Sequence, residues 1–178
     1  GLRAPDIDID LTGVDGTPAR VALVQMPNGT GKTTTLELLR AALTGEASGW
    51  TPAQVRELRR PGESNDEGHF RVTLLVDGKP VTFEILFDFE AGSAAYRTTT
   101  SSSGGVKRGW VPPPTILQFL NRAFLDLFIF DGEFADDLLK KGVGRADEAI
   151  GALCQLDLLQ DVAGTVEQQW KRATSQGG

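Results

Sequence analysis

An α/β fold follows from three features of the amino-acid sequence. A short β-branched run, Arg20-Val21-Ala22-Leu23-Val24, enters a glycine-rich turn, and a leucine-bearing segment with helical spacing leaves it. A second block, about 69–100, carries two apolar, β-branched runs around Asp77-Gly78, the pattern of antiparallel strands joined by a tight turn. A third block, about 115–173, reads as helical.

Taken in order, Asp6-Ile7-Asp8-Ile9-Asp10-Leu11 alternates strictly and predicts a half-buried strand. Thr12 to Pro18 is a turn cluster with Asp15-Gly16. The apolar run 20–24 predicts a strand covered on both faces. Leu36, Leu39 and Leu43 recur at i, i+3 and i+7, and Gly45 stands where that helix would stop. Thr51-Pro52 reads as a cap and first helical residue, opening a short helix to about Arg60.

Pro61 to Gly68 is loop-like, and strands follow over Phe70–Val76, Val81–Phe89 and about Ala95–Thr100. Ser101 to Gly105 reads as flexible, and three prolines at 112–114 close the block. Thr115–Phe124 reads as a helix, and the apolar run 125–130 as a strand that stops at Asp131-Gly132-Glu133. Ala135–Lys141 reads as a short helix, acidic at its start and basic at its end, closed by Gly142. Leu159, Val162, Val166 and Gln169 or Trp170 have the spacing of a coiled-coil root.

Composition narrows the class. With 178 residues, 40% hydrophobic and 24% charged, the chain suits one compact soluble domain and is long enough for a small appended subdomain. No apolar run approaches the roughly 18 residues that cross a bilayer, and no leader segment opens the chain, so no membrane partner is expected. The single cysteine, Cys154, forbids an internal disulfide, suits a reducing cytoplasm and reads as a buried small hydrophobe. A net charge of −6 argues against a nucleic-acid surface spread over the whole chain while allowing a local patch. The basic clusters are 56–60 and Lys107-Arg108, and both read as solvated faces. The absence of an initiator Met and the Ser-Gln-Gly-Gly close read as the edges of a longer protein.

The chemistry lies in Pro27-Asn28-Gly29-Thr30-Gly31-Lys32-Thr33-Thr34. Glycines at 29 and 31 let backbone N–H groups turn inward around a phosphate, and the N-terminus of the following helix adds the positive end of its dipole. Lys32 can reach β- and γ-phosphate oxygens as a point charge, and the Thr33 hydroxyl is placed to ligate Mg²⁺. Asn28, Gly29, Thr30, Gly31, Lys32, Thr33 and Thr34 are thus the expected ATP-binding residues. One departure is Met26, where the usual loop opens with glycine. Pro27 biases Met26 towards extended backbone, which a non-glycine residue tolerates.

With these residues in view, segment 26–35, Met-Pro-Asn-Gly-Thr-Gly-Lys-Thr-Thr-Thr, resembles the phosphate loop of ABC-type ATPases, and among them the SMC/SbcC group. Leu127-Phe128-Ile129-Phe130-Asp131-Gly132-Glu133 and Leu156-Asp157-Leu158-Leu159-Gln160-Asp161 resemble the DndD-like ATPases of DNA phosphorothioation and anti-phage systems. The resemblance spans about residues 1–170 and is carried by the glycine loop and the Phe-Asp-Gly-Glu segment. It implies that 1–178 is the N-terminal lobe of an ABC/SMC-type P-loop head. It also implies ATP and Mg²⁺ as cofactors and ATP hydrolysis in the complete protein. A second head lobe or homodimer partner would complete the site, DNA would be bound through the complete head dimer, and a nuclease or other defence-system subunit is a candidate partner.

Two functional roles stand open for Asp131, beside a purely structural one as a strand end. It occupies the position where the resemblance expects a Q-loop glutamine, touching metal and γ-phosphate, and this role is favoured. The alternative is a Walker B carboxylate with Glu133 activating water, although Gly132 separates the two acids where a usual Walker B has them adjacent. Asp131 and Glu133, with Lys32, are the candidate catalytic residues, and Thr33 and Asp131 the candidate metal ligands. A small P-loop kinase and a non-hydrolysing regulatory module are the competing classes. His69, the sole histidine, and the scattered Trp50, Trp110 and Trp170 read as packing or exposed residues.

Overall fold

The structure, a computed structural model, describes residues 1–13, 15–101 and 105–129. The chain divides into two compact units, 1–113 and 114–178.

The first unit is built on a four-stranded antiparallel sheet in the order β1 (Glu67–Val76), β2 (Lys79–Asp88), β3 (Ser93–Thr100) and β4 (Gly105–Arg108). Asp77-Gly78 forms the first turn with both residues at positive φ, 50° and 72°, as a two-residue hairpin requires. No parallel strand pair occurs among the described residues. The inner face buries Val81, Phe83, Ile85 and Phe87 on β2, and Tyr96 and Thr98 on β3. Helices α1 (Lys32–Thr44) and α2 (Pro52–Glu57), joined through a 3₁₀ turn at Glu46–Gly49, supply Leu38, Ala41, Ala42, Ala47 and Val55 to the same core. Trp50 stacks on Phe87 at 6.2 Å and Trp110 lies 6.3 Å from Phe83, so both act as packing residues.

Small residues on α1 allow close approach. Ala41 and Ala42 face the sheet fully buried, and the Tyr96 hydroxyl donates to the Ala41 carbonyl at 2.6 Å while accepting from the Ala47 N–H at 3.2 Å. Burial pushes the Tyr96 phenol above its ordinary value, which keeps this donor protonated. Gly45 ends α1 in the left-handed conformation, as expected from its place in the sequence. The buried stripe is centred on Leu38, Ala41 and Ala42 rather than on Leu36, Leu39 and Leu43, of which only Leu43 is buried. Thr51 caps α2 reciprocally with Gln54, and Pro52 occupies its first turn; the helix ends at Glu57, short of Arg60.

Three expectations are corrected. Residues 6–11 and 20–24 are not strands: Ile7 and Leu11 are about half exposed, and Val21 and Leu23 are 89% and 91% exposed. A strand is held by a neighbour's ladder, and here only a loose pair of rungs forms, Ala19 N–H to Leu11 O at 2.8 Å and Gly13 N–H to Thr17 O at 2.7 Å. Segment 20–24 has no pairing partner among the described residues. Second, the antiparallel section is longer than 69–100, since β1 begins at Glu67 and β4 adds 105–108.

The third correction falls in the second unit, whose described part is α3 (Pro114–Leu117) and α4 (Arg122–Phe128). The single helix expected over 115–124 is interrupted, and the apolar run taken as a strand is helical to Phe128. Asn121 caps α4 by accepting from the Phe124 N–H at 2.8 Å, and Phe124 and Phe128 meet at 4.7 Å across one turn. Periodicity cannot separate strand from helix in so short an apolar run; here the asparagine cap and the i, i+4 aromatic pair decide it. The expected helix at 135–141, the coiled-coil root and Cys154 lie outside the described residues.

If the Tyr96 hydroxyl holds α1 to the sheet, Tyr96→Phe leaves the buried Ala47 N–H without its partner, removes one of the two donors to the Ala41 carbonyl (the Gly45 N–H remains), and costs about 1–3 kcal/mol. Urea unfolding followed by tryptophan fluorescence measures this, and an unchanged midpoint refutes it.

Candidate functional site

The glycine loop stands at the N-terminus of α1, whose other end is the one clamped by Tyr96. Gly29 and Gly31 both adopt positive φ, 78° and 89°, and Gly31 is the N-cap residue. Among the described non-glycine residues only Asp77 has positive φ, so Met26 sits in ordinary backbone as its proline neighbour predicts. The loop is tied internally by the Thr30 hydroxyl donating to the Pro27 carbonyl at 2.7 Å and the Thr35 hydroxyl donating to the Gly31 carbonyl at 2.8 Å.

Gly31 is required for space as well as conformation. A Cβ there would run into the carbonyl of Arg3 and lie 3.2 Å from the Ala4 Cα. That backing segment is itself fixed: Leu2 and Ala4 are buried, the Arg3 N–H donates to Leu58 O at 2.8 Å, and the Arg60 guanidinium donates to Ala4 O at 2.8 Å. Sequence reasoning did not find Arg3 and Ala4 as the floor of the loop. No local pattern signals a contact made across more than twenty-five residues; the only hint is that position 31 is glycine.

Lys32 folds back over the loop. Its ammonium donates to Asn28 Oδ1 at 2.9 Å and to the Met26 carbonyl at 3.3 Å, both exposed to solvent. The helix has no side-chain cap, so the N–H groups of its first turn lack intrahelical partners and face outward with the dipole's positive end. Lys32 and Thr33 are exposed and Thr34 half-buried. The Thr33 hydroxyl has no hydrogen-bond partner among the described residues.

The arrangement can therefore receive an oxyanion. It offers uncapped N–H donors, a cation held only by two neutral oxygens, and a free hydroxyl one residue further on. These are features that a phosphate group needs from a chain, and the Thr33 hydroxyl is the one described group here that could be offered to a metal beside it. Seven of the nine sequence-predicted site residues, Asn28 to Thr34, are together at this loop. The other two, Asp131 and Glu133, lie outside the described residues, and no metal-binding acidic cluster occurs among the described ones. No family model, curated protein or solved structure matches the chain. No helix among the described residues is long and apolar enough to cross a membrane.

The two glycines respond differently to a side chain. Gly29→Ala meets nothing within 4 Å and carries only left-handed strain, about 1–2 kcal/mol. Gly31→Ala adds a backbone clash and costs more. Thermal unfolding of the two variants checks the order, and equal losses would show that Arg3 does not back the loop.

Proposed function

We propose that this chain is the ATP-binding lobe of an ABC/SMC-type ATPase head that couples ATP-driven head dimerisation and hydrolysis to DNA binding or processing in repair or anti-phage defence. The observation that carries the nucleotide reading is the Lys32 ammonium lying across an uncapped helix N-terminus on two neutral acceptors. Replacing those neutral acceptors with anionic phosphate oxygens turns an ammonium–dipole hydrogen bond into an ion pair, which holds the ammonium more strongly. The wider SMC-like assignment is supported by the loop sequence and by the Phe-Asp-Gly-Glu segment.

In this reading the N–H groups of 29–33 cradle the β-phosphate, Lys32 bridges β- and γ-oxygens, and Thr33 contributes its hydroxyl to Mg²⁺. Bound Mg²⁺ supplies charge neutralisation for phosphoryl transfer. The resemblance gives Asp131 the role of γ-phosphate and metal sensor, and Glu133 is the residue that could activate water.

Lys32→Ala removes the charge-assisted contact and weakens binding by about 1.5–3 kcal/mol, roughly ten- to a hundredfold. Titration with a fluorescent ATP analogue in Mg²⁺ tests this, and wild-type affinity in the variant rejects the loop as the site.

Turnover separates a half-site from a self-sufficient enzyme. Phosphoryl transfer depends on charges gathered around the γ-phosphate, so a lobe lacking its partner's residues binds ATP with negligible hydrolysis. Phosphate release is measured for this chain alone and for the complete protein, with and without DNA. Turnover on the order of 1 s⁻¹ from the chain alone, abolished by Glu133→Gln, would overturn the half-site and favour a kinase-like enzyme.

A further inference from the structure

Two groups of basic side chains stand on the first unit, and their surroundings differ. Arg59 and Arg60 are neutralised where they lie: Arg59 is 2.9 Å from Asp66, and Arg60 is 2.9 Å from both Asp6 and Glu63. The Arg56 guanidinium is turned to the Glu90 carbonyl at 3.1 Å.

The second group is assembled by strand register. Arg71 on β1 pairs with Glu84 on β2, Glu84 with Arg97 on β3, and Arg97 with Arg108 on β4. Residues opposite one another in an antiparallel ladder share a face. One row across the outer face of the sheet therefore holds three guanidinium groups and a single carboxylate. Glu84 lies 2.9 Å from Arg71 and 3.8 Å from Arg97, and its side chain is 15% exposed against 61% and 52% for theirs. The carboxylate sits beneath while the cations stand in solvent. Arg108 is exposed and has no ion-pair partner among the described residues.

The neighbouring row along the strands is Thr73, Thr82, Thr99 and, on β4, exposed Val106; it sets three hydroxyls beside the guanidinium groups, those of Thr73 and Thr82 bonded to each other at 2.9 Å. On the other side, beyond His69, Leu86 and Ala95, comes an acidic row of Glu67 and Asp88. The aromatic residues of the sheet, Phe70, Phe83, Phe87 and Tyr96, occupy alternate positions and face the core, so the strands themselves offer no Phe, Tyr or Trp for stacking on this face among the described residues.

We propose that the Arg71–Arg97–Arg108 row is a binding surface for the phosphodiester backbone of duplex DNA. The surplus of two positive charges, flanked by hydroxyl donors, matches a polyanion. The row spans roughly 14 Å, three strand spacings, which suits contacts to a few successive phosphates rather than to one small anion. A duplex is favoured over a single strand because single strands are held largely by stacking on aromatic rings. The choice of DNA rests on the ABC/SMC-type reading above. The acidic row sets the direction: the backbone lies over the arginine and threonine rows and is repelled from the Glu67 end.

Fluorescence anisotropy of the full chain with a labelled duplex, across a salt series, tests the surface. Arg97→Gln with Arg108→Gln removes two exposed cations and keeps the Arg71–Glu84 pair intact. Affinity should fall roughly tenfold or more, and the slope of log K against log salt should shrink by about 2. Glu67→Gln should raise affinity. Binding of the ATP analogue should be unchanged in both variants, so failure of this surface is distinguishable from failure of the nucleotide site. Arg108→Gln alone, where no described partner is lost, serves if the double variant unfolds. Unchanged affinity and salt slope in a folded variant, no duplex binding by the wild type, or equal binding of polyglutamate or tighter binding of duplex RNA would overturn the proposal.

Discussion

The position of the glycine loop depends on how α1 is held to the sheet. Helix and sheet approach closely because Ala41 and Ala42 present no bulk, and the Tyr96 hydroxyl then reaches the Ala41 carbonyl at one side and the Ala47 N–H at the other. One side chain of β3 thereby satisfies backbone groups from the helix and from the turn after it. A buried network of this kind is stronger than its pairs taken singly and costly to leave half made. The clamp grips the C-terminal part of α1 while Arg3 and Ala4 back Gly31 at its start, so the helix is held near both ends.

The antiparallel section was legible in the sequence because each of its signals is local. Asp77-Gly78 requires positive φ at both positions and finds it, and strict alternation on β2 separates Phe83, Ile85 and Phe87 from Thr82, Glu84 and Leu86. The Thr51-Pro52 start of α2 and the Gly45 stop of α1 were legible for the same reason. Segments whose state depends on a distant partner were not. Residues 6–11 and 20–24 carry strand-like patterns, yet pattern supplies only the propensity of a strand, and the ladder must come from elsewhere. The run ending at Phe128 failed for the opposite reason: its apolar character suits either state, and the side chain of Asn121 tips it to helix.

Within the candidate site, the residue identities were legible and the support was not. Lys32, Thr33 and the glycines follow from the phosphate chemistry of the loop. That Gly31 is backed by Arg3 and Ala4, and that these are in turn fixed by Leu58 and Arg60, depends on a packing arrangement that no local pattern encodes. The arginine row was hidden similarly. Arg108 shows in the sequence only as half of the Lys107-Arg108 pair, read there as a solvated face, and Arg71 and Arg97 stand far from it; register alone brings the three into line.

These supports make the loop unequal on its two sides. Downstream it continues into α1, whose core contacts fix it, and beneath Gly31 it rests on a buried floor. Upstream, Val21 and Leu23 lie almost wholly in solvent, so the chain entering the loop has few apolar contacts of its own. Few buried contacts mean a low local free energy of opening. The Lys32 ammonium, bonded to the Met26 carbonyl and to Asn28, is therefore a principal link between the entering chain and the helix. A phosphate that drew Lys32 away would release this link while offering the loop N–H groups a stronger one. Ligand binding and ordering of the entering segment are thus coupled through one side chain, and part of the binding free energy goes into fixing backbone that the unliganded chain holds only weakly.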